Sequence, residues 1–203
     1  YRTERIPVTL NEEEREEYAR HADVYRAYLR KNSISMRSGD DYQRFLIQRS
    51  GNDPAAREAL LAHQAARRIA LSASGKLEVV ADLLARHKED RVLIFSEYNA
   101  FAERIGSLYC LPTVTHKTAM PERRAILDSF RSGRFSKLAT GRVLNEGVDL
   151  PDANVAIILS GSATRREFIQ RLGRVLRPKV TEAVLYEVVT EETTEESISR
   201  RRQ

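Results

Sequence analysis

The chain has 203 residues, 41% of them hydrophobic, with 34 Lys and Arg against 29 Asp and Glu for a formal charge of +5. That is enough apolar material for one large domain or a medium domain with an appendage; it excludes fibrous, low-complexity and polybasic-tail classes and leaves a nucleic-acid partner open. Cys110 is the only cysteine and no apolar run reaches membrane-spanning length, which excludes an internal disulfide framework and a cysteine-rich zinc site, predicts no membrane partner and points to a reducing compartment.

Residues 2–10 alternate loosely around Ile6, Val8 and Leu10, which predicts a strand. The chain starts at Tyr1 and runs straight into that strand, so it reads as a piece of a longer protein. Asn11-Glu12-Glu13-Glu14 predicts a helix start. Asn11 caps, Glu14 completes a capping-box-like pair, and the acidic first turn suits the positive end of the helix dipole. Tyr18, Ala22, Tyr25 and Leu29 follow at helical spacing and read as an apolar packing face rather than a base-stacking platform.

Residues 31–39 form a polar break. A short helix is expected over 41–49 with Phe45 and Leu46 inward, then a turn at Gly51-Asn52-Asp53-Pro54. Asp53 caps the next helix and Pro54 takes its first position. Residues 55–72 are rich in alanine, with Arg57, Arg67 and Arg68 facing outward. Residues 11–74 therefore read as a small all-helical unit. It serves either as a structural bracket or as a nucleic-acid-gripping appendage carrying Arg30, Lys31, Arg37, Arg44 and Arg49.

After Ser74-Gly75-Lys76 the pattern changes to alternating helices and strands. A helix is expected around Leu77, Val80, Ala81 and Leu84, and strands over 92–95, 113–115, 137–140, 155–159 and 183–190. Helices are expected over 101–108, 121–130 and 166–177. Val92-Leu93-Ile94-Phe95 is a continuous apolar run, as in a parallel strand covered on both faces, while 183–190 alternates. The fold class is α/β: a mostly parallel sheet with helices on both faces, over 75–190, preceded by the opening strand at 1–10 and the helical unit. Residues 191–203 are a charged tail, read as a last helix or a frayed end.

In such sheets, ligands gather beyond the carboxyl ends of the strands. Four stretches that bear chemistry sit there. Ser96, in Phe95-Ser96-Glu97-Tyr98, could meet a phosphate or cap a helix. His116 and Lys117, in Thr115-His116-Lys117-Thr118, could clamp a nucleic-acid backbone. His116 has no second or third ligand nearby in sequence, so no metal site is expected. In residues 139–151, Gly141 and Gly147 let the backbone approach a ligand closely, Thr140 offers a hydroxyl and an N–H, and Asp149 is a short acceptor for a ribose hydroxyl or an arginine.

The fourth stretch is Glu167-Phe168-Ile169-Gln170-Arg171-Leu172-Gly173-Arg174-Val175-Leu176-Arg177-Pro178. As a helix it buries Phe168, Leu172 and Leu176 on one face and gathers Gln170, Arg174 and Arg177 on another, until Pro178 stops it. Two guanidiniums and an amide aimed at one point form a grip for polyphosphate, since guanidinium matches phosphate oxygens and keeps its charge.

Gln-Arg-x-Gly-Arg-x-x-Arg resembles the last signature motif of superfamily-two helicases, and the order of the four stretches from Lys76 to Thr190 resembles their second RecA-like lobe. More narrowly, residues 142–154, Ser160-Gly161-Ser162 and residues 167–174 resemble the XPB (Rad25) helicases, archaeal forms especially. The helical unit sits where that family carries a thumb-like insertion. The resemblance implies that Arg174 and Arg177 are arginine fingers and that Gln170 supports the ATP site. It implies that Gly147 and Asp149 couple nucleotide state to the nucleic-acid groove, and that Thr140, His116, Lys117, Ser96 and Arg142 belong to the DNA-binding surface. It further implies a 3′–5′ DNA translocase or helicase of the nucleotide excision repair and transcription type, using ATP and Mg²⁺. Its partners would be DNA, the N-terminal RecA-like lobe of the same protein, and a nuclease or the factor TFIIH. The location would be cytoplasmic for an archaeal form and nuclear for a eukaryotic one. The sequence has no Gly-x-x-x-x-Gly-Lys-Ser/Thr loop and no Asp-Glu box. Those parts are expected on the first lobe, so this chain alone is expected to hydrolyse ATP negligibly. The alternatives are another superfamily-two motor, such as an RNA helicase or remodeller, and a non-enzymatic DNA- or protein-binding module.

Overall fold

A computed structural model describes residues 1–35, 39–141, 152–159 and 183–196. The chain divides into two compact units, Tyr1–Thr9 with Leu71–Gln203, and Leu10–Ala70.

The smaller unit is helical. Helix α1 (Glu12–Lys31) begins at Asn11 with both halves of a capping box: the Glu14 N–H donates to Asn11 Oδ1 at 2.8 Å and the Asn11 N–H to Glu14 Oε2 at 3.1 Å. Such a cap contributes about 1 kcal/mol, because it satisfies helix-end donors that have no internal partner. Tyr18, Ala22 and Tyr28 are buried on α1, with Tyr25 and Leu29 half-buried beside them. The expected single helix over 41–49 is instead a short α2 (Gly39–Tyr42) continued by a π-helical turn, Gln43–Gln48. The wider turn buries Leu46 fully. Phe45 stays half-buried, with the guanidiniums of Arg44 and Arg49 5.4 and 5.2 Å from its ring centre. Helix α3 (Pro54–Leu71) starts as Asp53 Oδ1 accepts from the Ala55 N–H at 2.9 Å. Its Ala56 and Ala59 join Tyr28 and Leu46 in one apolar cluster, which their small side chains permit. Arg57 and Arg68 point outward as expected, but Arg67 is half-buried.

The larger unit is a six-stranded sheet, with β1 (Arg2–Val8), β2 (Val92–Phe95), β3 (Thr113–Val114), β4 (Lys137–Thr140), β5 (Val155–Ile158) and β6 (Val184–Thr190). They lie in the order β1-β6-β5-β2-β4-β3, and every pairing is parallel. Successive residues of β2 point to opposite faces, and both faces are covered. Val92 and Ile94 pack with Leu77, Val80 and Leu83 of α4 (Gly75–Arg86) and with Phe101 and Ile105 of α5 (Asn99–Leu108). Leu93 and Phe95 pack with Leu127 and Phe130 of α6 (Met120–Arg131). Strand β6 differs from the expected alternation: six of its seven residues are buried, because β1 and β5 flank it and place it inside the sheet.

The amino-terminal edge of the sheet is closed by polar side chains. His87 bridges Asp90 Oδ2 at 2.7 Å and the Tyr186 hydroxyl at 2.9 Å. Asn154 donates to Asp90 Oδ1 and accepts from the Arg91 N–H. Lys137 Nζ caps the carbonyls of Lys88 and Asp90, and burial holds its pKa below the ordinary lysine value against the pull of Asp90 and Glu89. The opposite, carboxyl edge carries the loops considered next.

Candidate functional site

Because all six strands are parallel, the residues just after β2, β3, β4 and β5 emerge at one edge. Backbone hydrogen bonds hold that edge together. The Leu159 N–H donates to Phe95 O at 2.9 Å, the Ser96 N–H to Thr140 O at 3.0 Å, and the Gly141 N–H to Val114 O at 2.9 Å. The expected phosphate-facing positions are thereby neighbours, although they lie far apart in sequence.

Ser96 and Thr140 reach the edge but do not present their hydroxyls. Ser96 is 1% exposed; its hydroxyl donates to Tyr98 O at 3.1 Å and accepts from the Tyr98 N–H at 3.2 Å, which makes it the brace of a turn. Thr140 is fully buried and donates to Gly141 O at 3.1 Å. A short hydroxyl side chain directly after a central strand is sunk between its neighbours and finds backbone partners there.

His116 and Lys117 are the exposed pair. Two carboxylate-or-amide side chains one turn apart on α5 hold their loop. Asn99 donates from Nδ2 to His116 Nδ1 at 2.7 Å. Glu103 accepts from Lys117 Nζ at 3.1 Å and from the Thr115 hydroxyl at 3.2 Å. The hydrogen bond from Lys117 is the main reason the Glu103 carboxyl lies below the usual carboxylate range; partial burial opposes it, and the Lys117 charge and the Thr115 hydroxyl add to it. Within the loop, the Thr115 N–H donates to Thr118 Oγ1 at 2.9 Å, and Arg123 of α6 donates to Thr118 O at 3.5 Å. The loop is thus supported from both sides while an imidazole and an ammonium face solvent. That arrangement suits anionic backbone groups, to which both can donate.

Asn99, Glu103 and Arg123 carry no site signal in the sequence. The only local hint was the i, i+4 spacing of Asn99 and Glu103, which means nothing until the loop beside that helix face is known. Gln170, Arg174, Arg177, Gly147, Asp149 and Arg142 lie outside the described residues. Among the described residues no group of His, Cys, Asp or Glu gathers to hold a metal ion.

The profile of the ERCC3/RAD25/XPB C-terminal helicase family matches residues 57–203. The chain belongs to that family. This family member is 37% identical over 202 residues to the DNA 3'-5' translocase XPB2 of Sulfurisphaera tokodaii, a match covering 100% of this chain and 46% of the relative. It is 34% identical over 139 residues to the DNA 3'-5' helicase XPB of Mycobacterium tuberculosis, covering 67% of this chain and 25% of that one. The crystal structure of the C-terminal part of the Fun30 ATPase domain shares the fold, with a TM-score of 0.67 at 15% identity over 100% of this chain and 89% of that chain. The chain spans about half the length of the first relative and about a quarter of the second. The expected ERCC3/RAD25/XPB kinship and the RecA-like sheet are both met.

Proposed function

We propose that this chain is the second RecA-like lobe of an ATP-driven 3′–5′ DNA translocase or helicase. The observation that carries the reading is the family match across 57–203, which takes in Gln170, Arg174 and Arg177 together with the exposed His116–Lys117 loop. Two functions divide between these groups. Arg174 and Arg177 offer fixed positive charge to a transferring phosphoryl group, and Gln170 supports the same site. His116 and Lys117 donate to the DNA backbone, and Arg142 is assigned to the same DNA-binding set. Gly147 and Asp149, between the two groups in sequence, couple them in this reading.

The donor set fits phosphate but not magnesium: the described residues hold no carboxylate cluster, and the chain has neither a phosphate-binding Gly-Lys-Ser/Thr loop nor an Asp-Glu box. We therefore assign the metal and most of the triphosphate contacts to a first RecA-like lobe, and DNA and that lobe are the proposed partners, with a repair or transcription assembly beyond them. The helical unit is proposed as the thumb-like element, carrying exposed Arg30, Lys31, Arg44 and Arg49.

The test is DNA-stimulated ATP hydrolysis by the two-lobe protein, wild type against Arg174→Ala, with ATP affinity measured alongside. A finger acts on the transition state, so the rate should fall about 10³-fold or more while ATP binding changes little. Hydrolysis that survives would make Arg174 an ion-pair residue and bring the binding-module reading forward. The present chain alone should hydrolyse ATP negligibly.

A further inference from the structure

We propose that Asn99 is a positioning residue for DNA: it fixes the His116 ring so that Nε2–H faces a backbone phosphate. The DNA part of this inference rests on the function proposed above.

Three observations carry it. First, Asn99 Nδ2 lies 2.7 Å from His116 Nδ1. An amide nitrogen only donates, so Nδ1 must keep its lone pair, and the proton of the neutral ring sits on Nε2. His116 is exposed, so the outward nitrogen is a donor. Second, Asn99 Oδ1 is buried without a hydrogen-bond partner. It lies against Gly141: a Cβ added to that glycine would come 1.9 Å from Oδ1 and 3.0 Å from Cγ. The amide is therefore wedged between the His116 loop and the glycine that opens the segment leading to Gly147 and Asp149. Third, the neighbouring carboxylate among the described residues is already engaged. Glu103, one turn further along α5, is occupied by Lys117 and Thr115.

An unpartnered buried carbonyl is costly, and it persists only where the surroundings hold it in place. Here the missing side chain of Gly141 makes the room. The result is a fixed imidazole tautomer at the mouth of the sheet edge, with the exposed Lys117 ammonium, held by Glu103, beside it in sequence. A phosphate oxygen accepts from both.

The experiment is long-range ¹H–¹⁵N correlation of the imidazole nitrogens in this chain at about pH 8.5, where an ordinary imidazole is neutral. The four histidines are distinguished by removing one signal with His116→Gln. His116 should show the Nε2–H form alone in the wild type and, in Asn99→Ala, the mixture of both tautomers that a free imidazole gives. A wild-type ring carrying its proton on Nδ1 overturns the proposal without recourse to any variant. Affinity for a short DNA duplex is then measured for wild type, Asn99→Ala, His116→Gln and the double variant. Each single change should weaken binding about tenfold, the size of one hydrogen bond to a charged group, and the double should be no weaker than His116→Gln alone. If His116→Gln weakens binding and Asn99→Ala does not, the DNA reading stands and the role of Asn99 falls. If the Nε2–H form is seen but His116→Gln binds DNA as the wild type does, the DNA reading of this loop falls, and the proposal with it.

Discussion

Lys76 and Glu195, 119 positions apart, form an ion pair at 2.8 Å with side chains 0% and 1% exposed. Lys76 Nζ also donates to Leu159 O at 2.5 Å and to Leu71 O at 3.5 Å, while the same carboxylate oxygen of Glu195 accepts from the Thr190 N–H. One lysine thus joins Leu71, the end of β5 and the turn after β6, all within the larger unit. Leu159 directly precedes the residues that lead to Gln170, Arg174 and Arg177. In sequence, Ser74-Gly75-Lys76 only marks where the pattern changes and 191–203 reads as a charged last helix or frayed end; the structure buries Lys76 and Glu195 together.

Removing one partner of such a pair leaves the other charge buried. Lys76→Met should destabilise the chain by about 3–5 kcal/mol in urea unfolding. Combining it with Glu195→Leu should recover a substantial part of that loss, because the orphaned carboxylate disappears. A loss below about 1 kcal/mol for Lys76→Met would mean the pair is open to water.

Gly141→Ala should separate stability from site geometry. The new methyl meets the end of the Asn99 side chain rather than backbone, so Asn99 swings away and about 0.5–1.5 kcal/mol is lost with its hydrogen bond. The His116 ring should then show mixed tautomers, as in Asn99→Ala. The Gly141→Ala and Asn99→Ala effects should not add, because each breaks the same contact. Urea midpoints and the ¹⁵N signals of His116 measure the two halves of this prediction.

His63 makes the helical unit sensitive to acid. Its ring centre lies 4.5 Å from that of Tyr25 and 5.4 Å from that of Tyr42, and burial, helped by the Arg67 charge, lowers its pKa from the ordinary 6.5. The unfolded chain therefore takes up this proton at a higher pH than the folded one. Stability is intact above the unfolded value and declines as pH falls below it, down to the lowered folded value. His63→Phe keeps the aromatic packing and removes the titration. The stability difference between wild type and His63→Phe, followed by urea unfolding from pH 8 to 5, should move against the wild type as the solution becomes acid.

Local chemistry determined much of this molecule. The capping box at Asn11 and Glu14 was readable because its partners are three residues apart, and the strand at Val92–Phe95 because an unbroken apolar run has few other homes. The alternation of such strands with amphipathic helices was enough for a parallel sheet covered on both faces, and the Gln170, Arg174 and Arg177 spacing carried the family. Where the signal is weaker the reading was coarser: nothing in residues 41–49 distinguishes an α-helix from the π turn that buries Leu46.

Tertiary structure decided the rest, and for one physical reason. A side chain meets a partner 17, 99 or 119 positions away only after strand order and register are fixed, as His116 meets Asn99, Tyr186 meets His87 and Glu195 meets Lys76. Strand β6 reads as half-exposed in sequence and becomes buried only because β1 pairs with its far side. Ser96 and Thr140 have phosphate-binding side chains by composition, but the parallel edge turns their hydroxyls inward and leaves His116 and Lys117 to face solvent. Residue type says what a side chain can bond; only the fold says which bonds are already taken.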